Sequence, residues 1–218
     1  NDELVRTLLE AGADPTATVP GGDSVLTAAV RGTRDPEVVR LLVAAGADVN
    51  APNERGTSPF LVAAEHNRSQ RVLAMLTELG ADPAARRGDG RTALMLAAAQ
   101  GNLSSIRFLL DRGVPVNTRN TQGETALMIA ARTTTITQAI RALVAGGSNV
   151  NAQRPDGMTA LMLCARDTSS TRMLRVLLEV GSDPTLRDAD GNTAWFYLGQ
   201  NDIIVGSKTE AALRDAAQ

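Results

Sequence analysis

Side chains able to do covalent or acid–base chemistry are scarce in this 218-residue sequence. His66 is its single histidine and Cys164 its single cysteine. A general base or metal ligand needs a partner held within hydrogen-bond reach, and Glu65, Asn67 and Arg68 around His66 read instead as a polar helix end. Cys164 stands where sister segments carry alanine, so burial should make it a small inert hydrophobe rather than a nucleophile. One cysteine also forms no internal disulfide and no metal site of its own. Gly88-Asp89-Gly90 and Gly146-Gly147 lack the Lys-Ser/Thr of a phosphate-cradling loop. The chain is therefore expected to be no enzyme and to need neither metal nor cofactor.

What recurs is arginine. Arg55, Arg86, Arg87, Arg119, Arg154 and Arg187 fall one or two at a time in turn-like segments, with Arg91 just behind. A second periodic set comprises Arg31, Glu65, Arg132 and Arg166, accompanied by His66 and Asp167. The planar guanidinium fork binds carboxylates bidentately and stacks on aromatic rings, which suits it to interfaces. Stacked at a fixed period, the first set would form a basic stripe. Asp89, Asp156, Asp188 and Asp190 lie close enough in sequence to neutralise it. Both sets are candidate protein-binding residues, and exposed Arg→Glu changes at 86, 119 and 154 are expected to leave the fold nearly intact.

The elements that must position these side chains repeat. Gly12, Gly46, Gly80, Gly113, Gly147 and Gly181 are spaced by 34, 34, 33, 34 and 34 residues, and each precedes a segment such as Ala47-Asp48-Val49-Asn50. An independent anchor, Gly22, Gly56, Gly90, Gly123, Gly157 and Gly191, returns the same five spacings. Between anchors, Ser24, Ser58, Thr92, Thr125 and Thr159 supply the hydroxyl that caps a helix, and Pro59 fits a first helical position. Ala63-Ala64, Ala97-Ala98 and Ala130-Ala131 permit close helix approach. A second helix carries apolar pairs at helical spacing, such as Val38-Val39 with Leu41-Leu42, before the anchor glycine ends it in the left-handed region. Asp89-Gly90, Asp156-Gly157 and Asp190-Gly191 supply turns for projecting loops. Met95, Met128 and Met162 recur at the same period and are read as packing between units.

The pattern Asp-Gly-x-Thr-Ala-Leu-Met-Leu-Ala-Ala, a second helix, then Gly-Ala-Asp-Val-Asn resembles the ankyrin repeat over about residues 1–195. The resemblance implies an all-α repeat solenoid in which each helix–turn–helix carries a projecting hairpin finger. It implies a single domain: a partial repeat over 1–20, full repeats over 21–54, 55–88, 89–121, 122–155 and 156–189, and a degenerate C-terminal capping repeat over 190–218. Two departures stand out. Thr-Pro-Leu-His is mostly Thr-Ala-Leu-Met, so the histidine that knits neighbouring repeats is missing. Four of the five full units carry one extra residue between their helices, at Arg31 to Glu37, Glu65 to Arg71, Arg132 to Gln138 and Arg166 to Arg172, which predicts a longer turn there.

At the ends the pattern changes. Residues 2–11 read as a second helix, with Leu4, Val5, Leu8 and Leu9 on one stripe and no first helix before it, as in a chain cut within a repeat. Trp195-Phe196-Tyr197 replaces Leu-Met-Leu, and Lys208 to Ala217 reads as a terminal amphipathic helix, a modified last repeat of the kind that shields an open solenoid end.

Composition bounds the function. Aromatic content of 2% suits thin layers of closely approaching helices rather than a bulky core. A net charge of -2 gives no electrostatic case for nucleic acid, and no run of about 18 apolar residues would span a membrane. Lys208 is the only lysine, which points to a GC-rich, bacterial source. The expectation is a monomeric, non-catalytic scaffold binding another protein through finger tips and a concave groove. A polyanion binder working through the finger arginines, or a structural segment of a longer protein, are the alternatives. A cytoplasmic location is favoured, with a periplasmic or secreted one left open where a leader has been removed.

Overall fold

The computed structural model describes residues 2–19, 22–167, 170–200 and 215. The terminal helix expected over Lys208 to Ala217 lies, Asp215 apart, outside them. Twelve α-helices make up the regular structure among the described residues. First helices are α2 (Val25–Gly32), α4 (Pro59–His66), α6 (Ala93–Ala99), α8 (Ala126–Thr133), α10 (Ala160–Asp167) and α12 (Ala194–Gly199). Second helices are α1 (Asp2–Glu10), α3 (Pro36–Ala44), α5 (Gln70–Glu78), α7 (Leu103–Asp111), α9 (Thr137–Ala145) and α11 (Thr171–Glu179). They fall into two compact units, residues 1–97 with 102–114, and residues 98–101 with 115–218.

The caps form as their residue types dictate. Ser24, Ser58, Thr92, Thr125 and Thr159 accept hydrogen bonds from the backbone N–H three residues on, satisfying a donor the helix leaves orphaned. The alanine pairs of α4, α6 and α8 are fully enclosed, which lets first helices approach first helices. The first unit packs α2 against α4, and α1 and α5 on either side of α3; the second packs α8 and α12 on either side of α10, and α9 against α11. Second helices bury a single stripe, Val72, Leu73 and Leu76 in α5 and Met173, Leu174 and Leu177 in α11. Met95, Met128 and Met162 are buried with the core. Each second helix ends on its anchor glycine; Gly46, for example, sits at φ +110°, and the next amide, Ala47 N, reaches back to Leu42 O at 3.0 Å.

The extra residue in four units does not lengthen the turn between helices. Three residues separate first from second helix in every full unit. The added residue extends the first helix instead: α2, α4, α8 and α10 run eight residues and α6 seven. In α2, α4 and α8 the following amide still closes a helical bond, such as Thr33 N to Ala29 O and Asn67 N to Ala63 O, and the chain leaves in extended conformation. The short copy must turn back within the last helical turn, and only Gly101 at φ +60° allows it.

Asparagines knit neighbouring repeats. Asn50 donates to Gly80 O (3.0 Å) and accepts from Asp82 N (3.0 Å) in the first unit. In the second, Asn117 and Asn151 repeat both bonds one unit apart, to Gly147 and Asn149 and to Gly181 and Asp183. At the opposite end of the first helices, buried Asn67 donates to Val30 O and Thr33 O at 2.6 Å each, and buried Asn102 to Ala64 O (3.1 Å) and Asn67 O (2.8 Å).

Candidate protein-binding surface

Each finger is one backbone device repeated six times. In the first unit Val19, Asn53 and Arg87 accept from the glycine three residues on and donate to the carbonyl four residues on; in the second, Asn120, Arg154 and Asp188 do the same. The glycines at the closing position all lie at φ between +67° and +82°, which L side chains avoid. The fingers are hairpin-like turns with isolated bridges, such as Arg86 to Thr92, rather than extended strands.

Two side-chain chemistries hold this turn. Asn53, Asn120 and Asp188 use Oδ1 to accept from backbone amides two and four residues on. Where arginine stands at that position, an aspartate two residues on takes over. Asp89 accepts from Arg91 N and pairs with the Arg87 guanidinium; Asp156 accepts from Met158 N and pairs with Arg154. The guanidinium holds each of these aspartates below its ordinary carboxylate range, and each arginine is raised in turn.

In the first unit, Arg31 reaches Asp23 at 2.8 Å, and Asn53 of the next finger reaches the same carboxylate at 2.7 Å. The Asn53 bond, then Arg31, holds Asp23 low. Arg91 lies 3.4 Å from Asp89. Glu65 is half-buried, 3.6 Å from His66 Nε2. Arg55 and Arg86 are exposed.

In the second unit, the centre of the arrangement is a residue that sequence reasoning passed over. Glu124 is 1% exposed. Its carboxylate takes Arg132 at 3.0 and 3.3 Å, Arg154 at 3.5 Å and Asn120 at 3.1 Å. Arg154 is thus half-buried between Glu124 and Asp156 rather than a solvated tip, and Arg154→Glu would set a third carboxylate against them. The silent substitution expected at 154 is corrected on that ground. The signal available in the sequence was the eight-residue spacing shared by Asp23–Arg31 and Glu124–Arg132, which spans a first helix and brings finger base and helix end together. Arg166 pairs with Asp167 and lies 3.4 Å from Met158 Sδ. Exposed Arg119 and Arg187 each donate 2.7 Å to a carbonyl of their own finger, that of Gly123 and Gly191.

Asp188 bonds the Tyr197 hydroxyl. Burial pushes this aspartate up, but the Tyr197 and Asn192 bonds outweigh it and leave it low; burial and Asp188 together raise Tyr197. Ala194 and Leu198 are buried in α12, while Phe196 is 44% exposed and stacks edge-on to Tyr197. Cys164 is fully enclosed, and burial drives its thiol far above the ordinary range, so it holds no thiolate. Among the described residues no group of His, Cys, Asp or Glu is arranged to hold a metal ion, and no helix is long and apolar enough to cross a membrane.

Comparison with known proteins places this arrangement. A family model described as ankyrin repeats (3 copies) matches residues 1–87 and 72–151, and a second, ankyrin repeats (many copies), matches 143–195. Among solved structures, the human ASB11 ankyrin repeat domain aligns with a TM-score of 0.82 at 22% identity, covering 100% of this chain and 93% of that one. The ankyrin repeat domain of Bcl-3, a member of the IkappaB protein family, aligns with a TM-score of 0.71 at 27% identity, covering 98% and 91%. No curated protein matches the sequence.

Proposed function

The chain belongs to the ankyrin repeat family, and we propose that it is a non-catalytic scaffold whose finger tips and first-helix groove bind another protein. The observation that carries this reading is the contrast between frame and tip. One backbone turn recurs six times, yet the exposed residue just before it is Thr18, Pro52, Arg86, Arg119, Gln153 or Arg187. Positions that build the frame hold a hydroxyl, a glycine or an alanine; positions that face outward differ from copy to copy. Such a surface offers a chemically distinct patch at each repeat on a rigid support, which is what recognition of one partner needs.

Within it, Arg55, Arg86, Arg119 and Arg187 at exposed tips and Arg31, Glu65 and Arg166 at the first-helix ends are proposed to make the contacts. Arg87, Arg91, Arg132 and Arg154 are proposed to contribute through ion pairs already formed, which fix orientation and govern specificity more than affinity. The same pairing favours a protein over a polyanion, because these arginines present charge together with its counter-charge. The reading takes the chain as one repeat domain acting as a monomer. Capture from a lysate of the source organism, comparing wild type with an Arg86→Glu/Arg119→Glu/Arg187→Glu variant, tests it. A partner retained by the wild type and lost by the folded variant is expected. The same partner held equally by both would move the site away from the fingers, and no partner for either would favour a structural segment.

A further inference from the structure

In the first unit, the turn after α2 and the turn after α4 enclose a cleft of about 310 Å³, lined by Arg31, Gly32, Arg34, His66, Asn67 and Arg68. Three guanidinium groups and an imidazole line it, and no carboxylate does. Of the carboxylates on the surrounding elements, two pair with groups of the cleft itself and one caps a helix. Asp23 takes Arg31 and Asn53, Asp35 caps α3 by accepting from Glu37 N at 3.0 Å, and Glu65 sits 3.6 Å from His66. Asn67 shapes the wall without being free to bind, since its amide is spent on Val30 O, Thr33 O and Ser69 N. Gly32 contributes backbone alone to the lip, with open space beside it.

Two of the cations have no partner among the described residues. The guanidinium groups of Arg34 and Arg68 are exposed and make no hydrogen bond or ion pair among the described residues. They come from equivalent positions one repeat apart, so the stacking of the repeats itself brings them to one opening. A carboxylate carries one charge and two oxygens, enough for one guanidinium fork. A phosphomonoester carries about 1.5–2 negative charges and three acceptor oxygens, which matches two uncommitted forks with Arg31 alongside.

We infer that this cleft is a recognition site for a phosphomonoester carried on a peptide segment of a bound protein. That the phosphate arrives on a peptide rests on the scaffold reading; the anion site itself does not. Exposed guanidiniums are screened by water, so free anions bind weakly, with Kd on the order of millimolar.

His66, the only histidine in the chain, is a reporter built into the cleft. Its imidazole C–H resonances in the full chain are followed by NMR at fixed pH and ionic strength while inorganic phosphate, N-acetyl-O-phosphoserine methylamide or N-acetylaspartate methylamide is added. Both phosphates should give saturable shifts, with the phosphoserine amide binding at least about tenfold tighter than the aspartate amide. Arg34→Gln/Arg68→Gln should abolish the response at unchanged melting temperature. An equal response to the aspartate amide, a response surviving in that variant, or no saturable shift overturns the site. Inorganic phosphate binding more tightly than the phosphoserine amide would make it a free-anion site and overturn its peptide-borne ligand. A silent His66 in a chain that still captures a partner sinks only the cleft, whereas a responsive His66 in a chain that captures nothing sinks the scaffold reading.

Discussion

Replacing Asn67 by alanine tests whether side-chain amides lock successive repeats together. Asn67 is buried, and truncation removes three hydrogen bonds: two donated to Val30 O and Thr33 O at 2.6 Å each, and one accepted from Ser69 N at 2.7 Å. At about 1 kcal/mol net per bond, the loss is about 3 kcal/mol. Two effects pull in opposite directions. Val30 is fully buried, so its carbonyl is stranded away from water, while Asn67 borders the open cleft and water entering there would recover part of the loss. The expected destabilisation is about 2–4 kcal/mol.

Urea unfolding followed by far-UV circular dichroism and by Trp195 fluorescence measures it. Asn67 belongs to the first unit and Trp195 to the second, so the fluorescence midpoint should move less than the dichroism midpoint if stability sums over neighbouring repeats. Asn67→Asp is the control. It keeps the acceptor for Ser69 N, discards both donors and sets a carboxylate against two carbonyls, so it should cost at least as much as alanine. A loss under about 0.5 kcal/mol for Asn67→Ala, or an Asn67→Asp protein as stable as wild type, would refute the reasoning.

Other perturbations have equally definite signs. The buried hydroxyls of Ser148 and Ser182 have no hydrogen-bond partner among the described residues, where sister repeats place Ala47 and Ala81, so Ser148→Ala/Ser182→Ala should stabilise by about 0.5–1 kcal/mol per site; a lower melting temperature would count against it. Leu177 is fully buried in α11, and Leu177→Ala should cost about 2–5 kcal/mol in urea unfolding, with a negligible cost undoing the core assignment. Asp23, Asp89 and Asp156 are held below their ordinary range, so near and below about pH 4 the unfolded chain binds more protons than the folded one. Stability is therefore present above that pH and lost as pH falls through the folded values. Asp89→Asn/Asp156→Asn should flatten the acid limb of a stability–pH profile, modestly because these side chains are partly exposed; an unchanged limb would contradict the pairing.

Features encoded within a few residues were legible in the sequence. A serine or threonine three residues before an amide that needs an acceptor, a glycine where φ must be positive, and an alanine pair where helices must touch each declare their role by type and spacing alone. What escaped is encoded across the period. Asn67 bonds residues 34 and 37 positions earlier, Asn50 one 30 positions later, and Arg154 reaches back 30 positions to Glu124. No local pattern shows that these pairs meet. The extra residue in four units was misplaced for a related reason: residue counts fix the distance between anchors but do not tell whether a helix or a turn absorbs the insertion, which the Ala29 and Ala63 carbonyls decide by accepting one more amide.

The arginines show the same division at the candidate surface. Grouped by period they look equivalent, but their surroundings sort them. Arg132 and Arg154 converge on Glu124, a carboxylate so enclosed that losing it would leave two half-buried cations facing each other. These two therefore answer to the fold before they answer to any partner. Arg87 and Arg91 likewise answer to Asp89. Arg34 and Arg68, in neither periodic set, make no side-chain hydrogen bond or ion pair among the described residues. The same holds for Arg71, Arg107, Arg172 and Arg175 elsewhere, but Arg34 and Arg68 share one cleft. A scaffold of this kind spends its polar side chains first on backbone groups and carboxylates that stacking would otherwise strand. The residues left over after that accounting, rather than the most regular ones, are where recognition should be sought.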